Sequence, residues 1–136
     1  MPRWAINRYT GGKSIPPEIQ SATQHRIITY ANQHFAGKFT RIDVRFRGAY
    51  CYIDAYTDPG PLKGARPPEG ETHAQWIERL KNTPTHLCRL HYFGNADKWS
   101  FAFYTYSHEK YEPSFTMSGD SLCTPEEAVE TSAAFL

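Results

Sequence analysis

A chain of 136 residues, 40% apolar and 15% aromatic, can bury one core but is short for two domains. That composition excludes a disordered protein, and no apolar run approaches the roughly 18 residues that a membrane-spanning helix needs. The net charge is +1, yet residues 1–66 hold ten Lys/Arg against four Asp/Glu while residues 67–136 hold five against ten. Such asymmetry marks an anion-binding face or self-complementary association, unless folding interleaves the halves.

Residues 1–13 contain Gly11-Gly12 and no hydrophobic period, which predicts a mobile arm. Their basic residues precede no apolar stretch, so no secretory signal is expected. Residues 14–136 are expected to form a single domain. Ser14-Ile15-Pro16-Pro17-Glu18 opens a helix, because proline suits the first turn and an acid there suits the dipole. Ile19, Thr23, Ile27, Tyr30, Ala31 and Phe35 make its buried stripe, and Gly37 ends it.

The stretch FTRIDVRFRGAYCYIDAYT alternates with period two and predicts a hairpin. A turn at Arg47-Gly48 would pair Phe46 with Ala49, Val44 with Cys51 and Ile42 with Ile53 on a core face. The same register pairs Arg45 with Tyr50, Asp43 with Tyr52 and Arg41 with Asp54 on the other. Residues 58–71, DPGPLKGARPPEGE, carry four prolines and three glycines and read as a long loop. Thr72-His73-Ala74-Gln75 has capping-box spacing and opens a short helix with Trp76, Ile77 and Leu80 inward.

Leu87 to Phe93 and Trp99 to Tyr106 predict a second hairpin around Gly94-Asn95-Ala96-Asp97. Trp99, Phe101 and Phe103 lie on one face of it, Tyr104 and Tyr106 on the other. Bulk on both faces predicts a central strand. Lys110 to Thr116 adds an edge strand, since Pro113 cannot donate to a central ladder. Thr124-Pro125-Glu126-Glu127 then opens a last helix, with Cys123 packing on Ala128 as a hydrophobic staple. The fold class expected is α+β: an antiparallel sheet of four or five strands in the order α-ββ-α-ββ-β-α, with helices mainly on one face.

The pattern THLCRLHYFG…WSFAFYTYSHEKYEP…TPEEA resembles small bacterial proteins of uncharacterised families, over residues 14–136. In topology alone the chain is similar to secretion-chaperone-like α+β proteins. The first resemblance implies fold and a cytoplasmic setting but no catalytic residues; the second is one of topology without motif.

Three cysteines, Cys51, Cys88 and Cys123, form no CxxC pair. They argue against a disulfide scaffold and fit a reduced, cytoplasmic protein. His86 and Cys88 alternate onto one strand face, near Cys51, while His86 and His91 face opposite ways. No second ligand pair joins them, so no metal and no cofactor are assigned. Glu126 and Glu127 oppose any activation of Cys123 at its helix N-terminus. Acid–base chemistry would draw on Asp54, His91, His108 and Glu109, but no recognised spacing ties them and no catalytic residue is assigned.

Two surfaces remain. Arg89, Tyr104, Tyr106, His108 and Glu109 are expected to line a cleft for a ligand or partner. Arg41, Arg45, Tyr50, Tyr52 and Tyr56 share a hairpin face with the charge and rings that single-stranded nucleic acid requires. The first expectation is a non-enzymatic protein-interaction or self-associating module, with a protein partner or a second copy as occupant. The alternatives are single-stranded nucleic-acid binding on the Arg/Tyr face, and a small-molecule enzyme using a His/carboxylate pair in an aromatic cleft.

Overall fold

The computed structural model describes residues 12–134 and residue 136. The expected N-terminal arm, apart from Gly12 and Lys13, lies outside the described residues. Helix α1, Pro17–His34, has Pro16 at its N-cap with no side-chain cap, so proline geometry and Glu18 in the first turn set its start. Thr23, Ile27 and Ala31 are its buried face, with Ile19, Tyr30 and Phe35 packed at the core's margin.

Strands β1, Arg41–Arg47, and β2, Tyr50–Tyr56, form the first hairpin. Each side chain lies on its expected face, but the register is displaced by two residues. Val44 faces Ile53, Phe46 faces Cys51, Ile42 faces Ala55, and the turn is Gly48-Ala49 rather than Arg47-Gly48. Of these two turn residues only Gly48 has a positive φ, +59°, the sign pattern of a type II′ hairpin. A two-residue shift keeps every side chain on its face, so alternation could not separate the two registers. Its consequence is a new set of cross-strand neighbours: Arg45 opposite Tyr52, Asp43 opposite Asp54 and Arg41 opposite Tyr56. The expected Arg41–Asp54 pair does not form.

Helix α2, His73–Lys81, begins with a complete Thr72/Gln75 capping box. None of its residues is buried, and Trp76, Ile77 and Leu80 reach only partial burial. It is tied instead to the long loop, through His73 Nε2 and the Pro61 carbonyl (2.7 Å) and through Arg79 to Glu71 (3.0 Å).

The second half supplies β3, Thr85–Tyr92, β4, Trp99–Thr105, β5, Lys110–Pro113, the two-residue β6, Leu122–Cys123, and α3, Pro125–Ala133. The sheet is antiparallel in the order β1-β2-β3-β4-β5, and β6 also pairs with β4. Strand β4 is therefore internal, bordered by β3 on one side and by β5 and β6 in succession on the other. Strand β6 was not anticipated: two residues carry no readable period, and the edge passes to it where β5 ends at Pro113. Helices α1 and α3 pack together on one face of the sheet. Between them and the strands lie Ile27, Ala31, Cys51, Ile53, Cys88, Leu90, Trp99, Phe101, Ala128 and Val129. Trp99 and Phe101 are fully buried, and the Trp99 indole N–H donates to the Ala96 carbonyl at 2.8 Å. Phe103 is partly buried against the same core. Cys123 is buried beside the Thr124/Glu127 capping box that starts α3.

Arg26 of α1 joins three elements. Its Nε and Nη2 donate to the two oxygens of Glu126 on α3 at 2.7 and 2.6 Å, and its Nη1 reaches Asp97 and the Ala96 carbonyl in the β3–β4 loop. This fork-to-fork geometry is the strong form of the ion pair. The hydrogen bonds from Arg26 hold the Glu126 carboxyl below its ordinary value. A carboxyl depressed in the folded state adds stability that is complete above its unfolded pKa, about 4.3, and is lost as pH falls through the folded value. Acidification from neutral pH should therefore lower the melting temperature more in the wild type than in Glu126→Gln, when both are followed by circular dichroism. Equal losses in the two proteins would mean that this pair contributes nothing to acid stability.

Candidate functional site

The other face of the sheet carries no part of α1 or α3. By register it holds Arg41, Asp43, Arg45 and Arg47 of β1, Tyr50, Tyr52, Asp54 and Tyr56 of β2, Arg89 and His91 of β3, Tyr104 of β4 and Tyr111 of β5. All five residues expected on the hairpin's Arg/Tyr face are thus found on it. They extend across strands that alternation within one hairpin could not join. Arg41 lies over the Tyr56 ring at 4.1 Å, Arg45 over Tyr52 at 5.3 Å, and Arg89 over both Tyr50 and Tyr111 at 4.4 and 5.4 Å. Such stacking holds guanidinium planes and rings in one layer. Among the described residues, Arg41, Arg47 and Arg89 have no carboxylate within salt-bridge distance, and the buried Nε of Arg89 has no hydrogen-bond partner.

Asp54 sits in the middle of this layer at 2% exposure. A carboxylate so placed needs donors, and it has two: Arg45 Nη2 donates to Oδ2 at 3.0 Å, and His86 Nδ1 lies 2.8 Å from Oδ1. His86 reaches this face because β3 bulges. Ile53 pairs with Cys88 but Asp54 pairs with His86, so Leu87 is the extra residue and the side-chain alternation is reset. The expectation that His86 and Cys88 share a face is overturned. Cys88 points to the helix side, where the Ser132 hydroxyl lies 3.6 Å from its sulfur, and His86 and His91 are on the same face rather than opposite ones. His91 is buried there between Tyr50 and Phe93, each 4.4 Å away between ring centroids. The chain crosses it at Gly12, where a Cβ would stand 2.4 Å from His91 Nε2.

Two clefts meet at His86 and Tyr104. One, of about 600 Å³, is lined by Arg45, Phe46, Arg47, Tyr52, His86, Tyr104 and Tyr111. The other, of about 470 Å³, is lined by Thr85, His86, Leu87, Phe103, Tyr104, Thr105, Tyr106, Ser132 and Leu136. Tyr104 and Tyr106 therefore do line a cleft, and the Tyr106 oxygen accepts the His86 backbone N–H at 2.8 Å. Arg89 lies behind Tyr111 in the cation layer. His108 and Glu109 lie apart from both clefts, in the β4–β5 turn. His108 is bonded to Glu112 beside a third depression lined with Lys110, Tyr111 and Pro113. Glu109 is exposed with φ +53°. Asp54 was among the residues weighed for acid–base work, but its histidine is His86, not His91 or His108. Tyr111 was missed as well; burial, with the Asp54 charge adding to it, pushes its phenol well above the ordinary range and keeps it a donor.

The three cysteines are buried and unpaired. Burial raises Cys51 well above its ordinary value and pushes Cys88 and Cys123 up to about 12, so they are protonated and unreactive at neutral pH. Among the described residues, no group of three or more His, Cys, Asp or Glu side chains is placed to hold a metal ion, and no helix is long and apolar enough to cross a membrane. Comparison of the chain with protein-family models, with curated proteins and with solved structures finds no match in any of the three.

Asp54→Ala would strip the acceptor from both Arg45 and His86. It should cost about 1.5–3 kcal/mol in urea unfolding, the range for hydrogen bonds to a charged group. Arg45→Met should cost less, because Arg45 is half exposed and Asp54 keeps His86. A cost below that of Arg45→Met would remove Asp54 from the centre of this arrangement.

Proposed function

We propose that this protein is a non-enzymatic binding protein whose sheet face opposite α1 and α3 takes single-stranded nucleic acid. The observation that carries the reading is the layer of arginines stacked on tyrosines across β1, β2, β3 and β5, in which Arg41 and Arg89, and Arg47 on the same face, lack a carboxylate partner among the described residues. Single strands need cations for phosphates and rings for bases, set on a surface shallow enough for unpaired bases to lie flat. A duplex would need an element that enters a groove, and this face offers none. Four arginines against Asp43 and Asp54 make the face basic although the whole chain is near neutral, and Asp54 is already engaged by Arg45 and His86. Three protonated, buried thiols fit a reducing, cytoplasmic setting.

A second reading has its own support. Phe115, Met117 and Leu122 are 58, 66 and 41% exposed beside the β5–β6 edge, which suits a protein partner or a second copy. Trp99 and Phe101, by contrast, belong to the core. If self-association is the function, Met117→Lys with Leu122→Lys should convert a dimer to a monomer in sedimentation experiments. A wild-type chain that is monomeric at all concentrations would end that reading.

Fluorescence anisotropy with a labelled mixed-sequence oligonucleotide tests the first. Affinity should fall with salt at a slope of roughly −0.7 per phosphate engaged. Tyr52→Ala should remove about 1–3 kcal/mol, and Arg89→Gln should flatten the salt slope. No binding at low salt would overturn the proposal.

A further inference from the structure

The smaller cleft is chemically unlike the arginine layer. Its walls are Leu87, Phe103, Tyr104, Tyr106 and Leu136, and its volume of about 470 Å³ is in the range of small-molecule sites. His86 and Tyr106 are among the polar residues that line it. Asp54 holds a proton on His86 Nδ1, which makes Nε2 an acceptor in the neutral ring, and Nε2 has no hydrogen-bond partner among the described residues. The Tyr106 oxygen is occupied as an acceptor by the His86 N–H, so its own proton is left to donate.

We infer that this cleft is a second binding site and that it takes a small, neutral aromatic molecule bearing a hydroxyl group. An alcohol or phenol O–H donates to one of these atoms and accepts from the other. A carboxylate accepts only, and would meet the Nε2 lone pair with a charge. Arg45 and His86 already satisfy Asp54, so no unpaired cation waits there to compensate an anion in an apolar pocket. A bare hydrocarbon fills the walls but gives no partner to the Nε2 lone pair or to the Tyr106 proton. Tyr104 and Tyr106 stand edge to face at 76°, so a flat aromatic body can stack on one ring and meet the edge of the other. This inference does not depend on the nucleic-acid reading, which uses the other side of the His86–Tyr104 partition.

The test is an NMR titration of the full chain with three probes of one body: 2-naphthol, 2-naphthoate and naphthalene. Saturable shifts from 2-naphthol are expected at Thr85, Leu87, Thr105 and Leu136, with the other two probes weaker by about tenfold, the worth of one hydrogen bond. Tyr106→Phe removes one oxygen and should weaken 2-naphthol several-fold while leaving naphthalene unchanged. His86→Gln, which retains a polar group beside Asp54, provides a second variant whose fold the same spectra report. The site is refuted if 2-naphthol does not saturate, if its shifts gather elsewhere, or if naphthoate or naphthalene binds as tightly. It is equally refuted if both folded variants bind 2-naphthol like the wild type.

Discussion

A carboxylate buried in the middle of a sheet has to be met by donors, and the sheet face opposite α1 and α3 is arranged around that requirement at Asp54. Its two oxygens draw in Arg45 from one neighbouring strand and His86 from the other. The pull on β3 coincides with the bulge at Leu87, which turns His86 away from the side that strand alternation would give it. With His86 in place, Tyr104, Tyr106 and Tyr111 gather round its ring, and the partition between the two clefts exists. Without Asp54, Arg45 would keep only Asp43 and the Tyr52 ring, and the His86 ring only its contacts with tyrosines.

The two faces of the sheet divide the work of the chain. One face buries Trp99, Phe101 and the aliphatic residues under α1 and α3 and supplies the stability. The other exchanges hydrophobic depth for stacked rings and guanidinium groups, which are stiff, flat and only partly hydrated. Guanidinium groups held on rings and left without carboxylates are available to anions and to flat bases. That is the physical ground for reading this face as a binding surface rather than as a second core.

Much of the architecture was legible in the sequence because it rests on local rules. The Thr72 and Thr124 capping boxes, the stripe of α1, the two faces of the first hairpin and the internal position of the Trp99 strand all follow from spacing and terminus chemistry. The five Arg and Tyr residues of the first hairpin were placed on their common face for the same reason. What failed was whatever depended on a single residue's count. The hairpin register moved by two because both alignments keep the same faces. The bulge at Leu87 moved His86 because an inserted residue has no signature in composition. A mid-strand aspartate on a tyrosine face was the one hint available, since a carboxylate buried there calls for a donor from each side. His108 and Glu109 were expected at the cleft by following the strand onward, but the chain turns at Tyr106 and carries them to the β5 side.

Chemical-shift mapping with a short single-stranded oligonucleotide measures which face of the sheet meets a ligand. The predicted result is a continuous set of perturbed amides and side chains at Arg41, Arg45, Tyr52, Arg89 and Tyr111, with α1 and α3 unaffected. Perturbations confined to the helix side or to the Phe115–Leu122 edge would contradict it.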